Sequence, residues 1–183
     1  GPAATCTSHI PFTKDGCTNI GFAFAAVPSN SPACGRCFEL TFTGEGKYES
    51  KKNHRNLKGK KLIVMASNIG GDVSGGQFDI LIPGGGWGVY NGLSGYGWGS
   101  QGKQYGGLLS ECEESAGYSG SDDEIYTKRK ECLINKCNSV FSSDSEAKQG
   151  CLFLANFMEA AGNPLHNYKE VNCPAELSSR YNN

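Results

Sequence analysis

The chain has 183 residues, with 17 basic and 18 acidic side chains and a formal net charge of −1. That balance excludes a binder of phosphate backbones, which needs a basic footprint, and no apolar run approaches the ~20 residues of a membrane-spanning helix. A chain of this length buries roughly 70% of its unfolded surface, so one self-sufficient domain over 1–183 is expected.

Glycine, at 26 residues, is about twice as frequent as usual, and it concentrates between Gly70 and Gly107 without a Gly-X-Y period. Glycine supplies the left-handed conformations of tight turns, so a mainly β domain with long loops and short helices is expected. Nine cysteines point to an oxidising compartment and hence to a secreted, extracellular protein. The pairs Cys34–Cys37 and Cys132–Cys137 are too far apart for a zinc ribbon, so disulfides are expected and no metal or other cofactor. Nine is odd, which leaves one thiol unpaired. Gly1-Pro2 reads as the scar of a cleaved tag, with no apolar leader behind it.

In chain order, Phe38–Thr43 alternates apolar and polar side chains as a half-buried strand does. Gly46–Lys60 is polar and lysine-rich and reads as a solvated turn. Lys61–Ala66 and Phe78–Ile82 are short apolar runs consistent with buried strands, the second stopped by Pro83 and three glycines. Residues 113–150 are polar and read as an insertion pinned by its own disulfide, with Ser121-Asp-Asp-Glu124 as a capping box that starts a helix through Lys130. Cys151–Ala161 fits either a helix ending before Gly162-Asn-Pro164 or a strand followed by one helical turn. Tyr168–Asn172 reads as the last strand.

The stretch from Asn68 to Asp79 carries the most chemistry. Its glycines allow a tight loop that returns Asp72 toward Asp79, and Asp79 sits between Phe78 and Ile80. A carboxyl held against apolar neighbours has its charged form disfavoured, which raises its pKa and suits it to general-acid work; the bland alternative is a strand aspartate facing solvent. Trp87, Tyr90, Tyr96, Trp98 and Tyr105 lie close together in the glycine-rich region and could stack on sugar rings, with Trp98, flanked by Gly97 and Gly99, the best exposed platform. Gln77 is a further candidate sugar contact. Asp15 reads as a turn residue, and His9, His54 and His166 as structural or exposed.

Gly70-Gly-Asp72, Phe78-Asp79 and Ile82-Pro-Gly-Gly-Gly-Trp-Gly88, with Cys37–Thr43, Gln104-Tyr-Gly-Gly107, Gly162-Asn-Pro164 and Val171–Leu177, occur in one order along nearly the whole chain. This set resembles glycoside hydrolase family 45, the small secreted endo-β-1,4-glucanases, and more distantly the first domain of expansins. The resemblance implies a six-stranded double-psi β-barrel with an open groove for a β-1,4-glucan, an inverting reaction, and a monomer without nucleic-acid or membrane partners. It assigns Asp79 as the general acid, Asp72 as an assisting aspartate and Tyr105 as a sugar contact, beside Trp87, Trp98 and Gln77. It pairs Cys37 with Cys173 and Cys112 with Cys151, leaving Cys132 to bond Cys137 within the insertion, and one bridge plus one thiol among Cys6, Cys17 and Cys34. The family's Thr-Arg-Tyr-Trp-Asp-Cys-Cys segment, which bears the general base, has no counterpart. Leu93, standing where the family has a cysteine bonded to that segment, points to natural divergence, whereas Cys34, aligned with a cysteine whose partner lies there, points to trimming. Asn68 is the substitute for that base which the resemblance offers. The expected function is therefore an endoglucanase, with a non-hydrolytic glucan-binding or wall-loosening protein as the alternative.

Overall fold

The computed structural model describes residues 9–14, 16, 18–28, 30, 34–71, 73–89 and 91–181. Its frame is a mixed sheet of β1 (Phe12–Thr13), β2 (Ile20–Pro28), β3 (Cys37–Gly46), β4 (Lys61–Gly70), β5 (Asp79–Ile80) and β6 (Pro164–Val171). The hydrogen-bonded order is β1-β2-β4-β3-β6. β2 runs parallel to β4 along its whole length, so β1 and β5 share its other edge, β1 against Gly21 and Phe22 and β5 against Ala25 and Ala26.

The expected strands 38–43 and 61–66 fall within β3 and β4, and 168–172 overlaps the end of β6, but Phe78–Ile82 contributes only the two-residue β5. β2 lies outside the expected strands although Phe22–Val27 is the longest apolar run in the sequence. It is buried on both faces, so it lacks the alternation that marks a half-buried strand. The closed six-stranded barrel is not what the backbone forms: the path ends at β1 and β6, which do not pair among the described residues. A barrel has no edges, whereas β6 here keeps one free and is largely exposed.

Five helices cover the sheet: α1 (Lys52–Arg55), α2 (Gly107–Ala116), α3 (Asp122–Val140), α4 (Ser145–Ala155) and α5 (Ala175–Tyr181). On one face Ala23 and Ala25 of β2 and Leu62 and Val64 of β4 share a core with Leu108, Leu133, Phe141 and Leu154 of the α2–α4 region. On the other, Phe22, Phe24 and Met65 meet Leu177 of α5. The small side chains of β2 lie toward α2–α4 for a reason visible at Gly21, where an added Cβ would stand 2.8 Å from the Phe153 ring. The two-residue period of a strand thus sorts bulk to one side and close approach to the other.

The 113–150 segment is helical and shares the main core, and at 19 residues α3 exceeds the expected short helices. Ser121 caps α3 by accepting from the Glu124 N–H at 3.2 Å, as the capping box predicts, and Asp122, Asp123 and Glu124 complement the helix dipole. Ile125, Arg129, Leu133 and Cys137, four residues apart, form its buried face. Cys37 bonds Cys173 as expected, but the other pairs are Cys112–Cys132 and Cys137–Cys151. The expected Cys132–Cys137 bridge is impossible on a continuous helix, because five residues rise about 7.5 Å and a disulfide tolerates at most ~6.8 Å between Cα atoms. The segment is consequently tied outward to α2 and α4 by two bridges rather than inward by one. Cys34 is free and exposed, while Cys6, Cys17, Asp15 and Gly1-Pro2 lie outside the described residues.

Gly46–Lys60 is not a solvated turn. It contains α1, and Asn53, His54 and Leu57 are at most 1% exposed. Asn53 Nδ2 donates to the Glu159 carbonyl (2.9 Å), and Lys60 Nζ donates to the Phe157 carbonyl (3.0 Å). His54 Nδ1 accepts the Lys51 N–H at 3.1 Å, so Nε2 carries the proton and donates to the Gly162 carbonyl at 2.9 Å. These bonds clamp a turn in which Glu159, Ala160 and Asn163 hold positive φ (57°, 50° and 47°), a conformation that persists for side-chain-bearing residues only where the surroundings enforce it.

Candidate active site

The clamped turn forms one end of an open cleft of about 740 Å³. One wall is the end of β4 with the following loop and β5, including Asn68, Val73, Phe78 and Asp79. A second wall runs from Gln101 through Tyr105 into α2, where Leu109 and Glu113 line the space one helical turn apart. The floor is the Pro83–Val89 turn, pinned to the Gln104-Tyr-Gly-Gly107 stretch. Trp87 N–H and Gly88 N–H donate to the Gln104 carbonyl (2.9 and 3.1 Å), Gln104 Nε2 donates back to the Gly88 carbonyl (2.8 Å), and Leu108 N–H donates to the Gly84 carbonyl (2.8 Å). Two motifs far apart in sequence become one surface by main-chain bonding.

Register brings Asn68 and Asp79 together. Both are opposite Ala26, Asn68 from β4 on one side and Asp79 from β5 on the other. Opposed residues share a face of the sheet, and two strand spacings put their backbones roughly 10 Å apart. The ladder slips at this point, because Ala25 pairs with Ala66 and Ala26 with Asn68, so Ser67 is left over as a bulge. Bulges re-aim side chains; here the small Ala26 sits between a carboxyl and an amide facing the same cleft. Asp79 is exposed, so the apolar neighbours in sequence do not enclose its carboxyl. Strand alternation explains the difference: Phe78 and Ile80 join the core and Asp79 points away. Asp72 lies outside the described residues, as does Tyr90.

Of the aromatic candidates, Tyr105 stands 60% exposed over the cleft and Trp87 is half-buried along its floor. Trp98 is not the open platform expected from its glycine neighbours. It is half-buried, its Nε1 donates to Asp144 at 3.2 Å, its ring meets Phe141 edge-on at 5.1 Å, and Tyr96 stacks on it at 4.5 Å. Flanking glycines set the backbone, but a buried indole N–H still needs an acceptor, and Asp144, the N-cap of α4, provides it. Tyr96, 41% exposed, is the outer ring of that stack. Gln77 is absent from the cleft lining; it closes the turn at Ser74, whose N–H donates to its Oε1 at 3.2 Å.

Glu113 is the cleft residue that sequence reasoning missed. Burial pushes its carboxyl above the usual range, and the Glu49 and Glu114 carboxylates push the same way, against the opposing Arg129 guanidinium. The one available signal was its place one turn beyond Leu109 on α2. Among the described residues no His, Cys, Asp and Glu cluster is arranged to hold a metal ion.

An open cleft with carboxyls on two walls, aromatic rings beside it and a frame locked by disulfides is the arrangement of a small carbohydrate-active domain. The comparisons make the class specific. The profile of Glycosyl hydrolase family 45 matches residues 1–119, and the chain belongs to that family. It is 44% identical to Endoglucanase B of Cellvibrio japonicus over 98% of its own length, which is 35% of that relative. It is 29% identical to an endoglucanase of Cryptopygus antarcticus over 98% of this chain and 66% of that one. The crystal structure of a cellulase from the same Antarctic springtail superposes with a TM-score of 0.66, covering 96% of this chain and 69% of the other. The chain thus spans about a third of the first of these relatives and two thirds of the second.

Proposed function

We propose that this chain is an endo-acting hydrolase of β-1,4-glucans, with Asp79 as the general acid. The observation that carries the reading is an exposed carboxyl on the wall of an open cleft in a family 45 chain. Similarity to proteins named endoglucanase and cellulase supports the substrate class. An open cleft suits attack in the middle of a polymer, because neither chain end has to enter it. Asp79 protonates the departing glycosidic oxygen while a water attacks the anomeric carbon from the opposite face, which inverts its configuration. Asn68, across Ala26 from Asp79, orients that water; the water releases one proton to solvent in the open cleft as its oxygen bonds the anomeric carbon, solvent returns a proton to Asp79, and Asp72 assists. Tyr105 and Trp87 stack on sugar rings, with Tyr96 over Trp98 as an outer ring. Three disulfides fit a secreted, extracellular protein, working as a monomer on a glucan, without a nucleic-acid or membrane partner.

The test is reducing-sugar release from carboxymethyl cellulose and barley β-glucan. Asp79→Asn is expected to cut turnover by about 10²–10⁴-fold while cello-oligosaccharide binding persists. Undiminished turnover removes Asp79 from the mechanism. Binding without turnover by the unsubstituted chain replaces hydrolysis with the non-hydrolytic, wall-loosening reading.

A further inference from the structure

We propose that Glu113 is a substrate-binding carboxylate of the cleft, accepting hydrogen bonds from neighbouring equatorial hydroxyls of one glucosyl unit and so making glucan affinity depend on pH. The inference rests on the glucan-cleft reading above and adds a residue that neither the sequence motifs nor the general-acid assignment contains.

Four observations converge on it. Glu113 lines the cleft and is half-buried there. Its carboxyl lies against Gly162, where an added Cβ would stand 2.9 Å from Oε1, so the glycine leaves the carboxyl its place. Gly162 is itself fixed from behind by the His54 hydrogen bond. The nearby cation makes its hydrogen bond to another carboxylate: Arg129 is fully buried, its Nη1 donates to Glu49 at 2.6 Å, and its Nε and Nη2 reach no acceptor among the described residues, the Glu113 carboxyl included. Among the described residues no donor reaches the Glu113 carboxyl. A carboxylate partly withdrawn from water, with no protein donor on it, has its charged form disfavoured. A glucosyl unit offsets that effect, because its vicinal hydroxyls present two O–H donors and a carboxylate has two acceptor oxygens.

The charges facing Glu113 are Arg129 from α3, Glu49 from the segment before α1, and Glu114 on α2, itself paired with Lys103. The wall at Gly162 adds no charge. Sugar hydroxyls favour the ionised carboxyl, whereas the empty cleft disfavours it. By linkage, affinity is greatest above the raised pKa of Glu113 and falls as pH drops through it.

The experiment measures cellotetraose binding by calorimetry between pH 4 and 8 in the Asp79→Asn chain, which does not consume the ligand. Glu113→Gln on that background is expected to bind about tenfold or more weakly at pH 7, the worth of one charge-assisted hydrogen bond, and to lose most of the pH dependence. Gly162→Ala keeps the carboxyl but displaces it, and is expected to weaken binding in the same direction. Carbon-detected NMR titration of the Glu113 carboxyl, which needs no substitution there, is expected to show its pKa falling when cellotetraose is added. Unchanged affinity and pH profile in Glu113→Gln, or a carboxyl pKa unmoved by ligand, overturns the proposal. If the unsubstituted chain hydrolyses glucan while those measurements stay flat, this inference alone fails. If it neither binds nor hydrolyses β-glucan, the hydrolase reading fails and takes this inference with it.

Discussion

Asp79 reaches the cleft from a two-residue strand that pairs with β2, whereas Glu113 reaches it from a ten-residue helix tied to α3 by Cys112–Cys132. The sheet wall positions its carboxyl by register and leaves it in solvent; the helical wall positions its carboxyl by packing and takes it partly out of solvent. One cleft therefore holds two carboxyls in different environments, one exposed and one whose charged form is disfavoured by burial. The sheet wall keeps its shape through main-chain bonds and one long-range disulfide, the helical wall through two short-range disulfides and a buried ion pair.

That contrast breaks most visibly at the disulfides. Cys37–Cys173 joins residues 136 apart, and Cys137–Cys151 residues 14 apart. In the chain-entropy model the first stabilises by roughly 5 kcal/mol and the second by about 3 kcal/mol. Replacing Cys37 and Cys173 by Ala is expected to lower the midpoint of chemical unfolding more than replacing Cys137 and Cys151. The reverse order would mean that the helical wall, not the sheet, limits the stability of the whole chain.

The parts of this contrast differ in how far they can be read from the sequence. β3 is legible by its alternation and β4 by its unbroken Leu-Ile-Val run, and the Ser121–Glu124 cap announces α3. β2 escapes because its Ala- and Gly-rich run, buried on both faces, has neither the alternation of β3 nor the strand propensity of β4. α1 escapes because Asn53, His54 and Leu57 are embedded in a polar, lysine-rich stretch that carries no apolar period. Asp79 stands out by its motif, yet its environment does not, since neighbours in sequence occupy the other face of a strand. Glu113 is marked only by its place one turn beyond Leu109: within Glu111–Glu114 it otherwise looks like any solvated acid, and the docking of α2 against Gly162 turns it inward. Disulfide pairing is likewise a tertiary fact, because it depends on which faces of α3 meet α2 and α4.

A smaller effect sharpens the helical side. Arg129 is fully buried, and its Nε and Nη2 find no partner among the described residues, while Nη1 bonds Glu49. Arg129→Ala removes the countercharge from Glu49 and opens a cavity in the buried face of α3, with an expected loss of about 3–5 kcal/mol. Arg129→Met refills the volume without the two unsatisfied donors and is expected to regain part of that loss in thermal unfolding. Because Arg129 also opposes the burial-driven shift of Glu113, either variant is expected to move the Glu113 titration further up.

The smallest effect distinguishes the two walls by the sign of their response to pH. His166 on β6 sits at 5.8 Å from Phe78, and burial lowers its pKa against the opposing effect of hydrogen bonds to the Pro164 and Gly76 backbone. His9, stacked on Phe24 at 4.2 Å, is lowered for the same reason. A lowered imidazole means that the unfolded chain binds the proton first, so this contribution to stability is complete above the usual histidine range and is lost as pH falls through it. Glu113 has the opposite sense: its raised carboxyl favours the fold below the usual glutamate range, and that contribution is lost as pH rises through the raised value. Glu39, held low chiefly by its hydrogen bond to Lys61, acts only in more acid solution. Thermal melts from pH 4 to 8 are expected to show His166→Phe flattening the decline between about pH 7 and 5, and Glu113→Gln raising the melting temperature toward neutral pH. A Glu113→Gln chain that is more stable yet binds glucan less well would place the cost of the ligand-free cleft on that carboxyl, since a group kept for binding is the one whose removal helps the fold and harms the site.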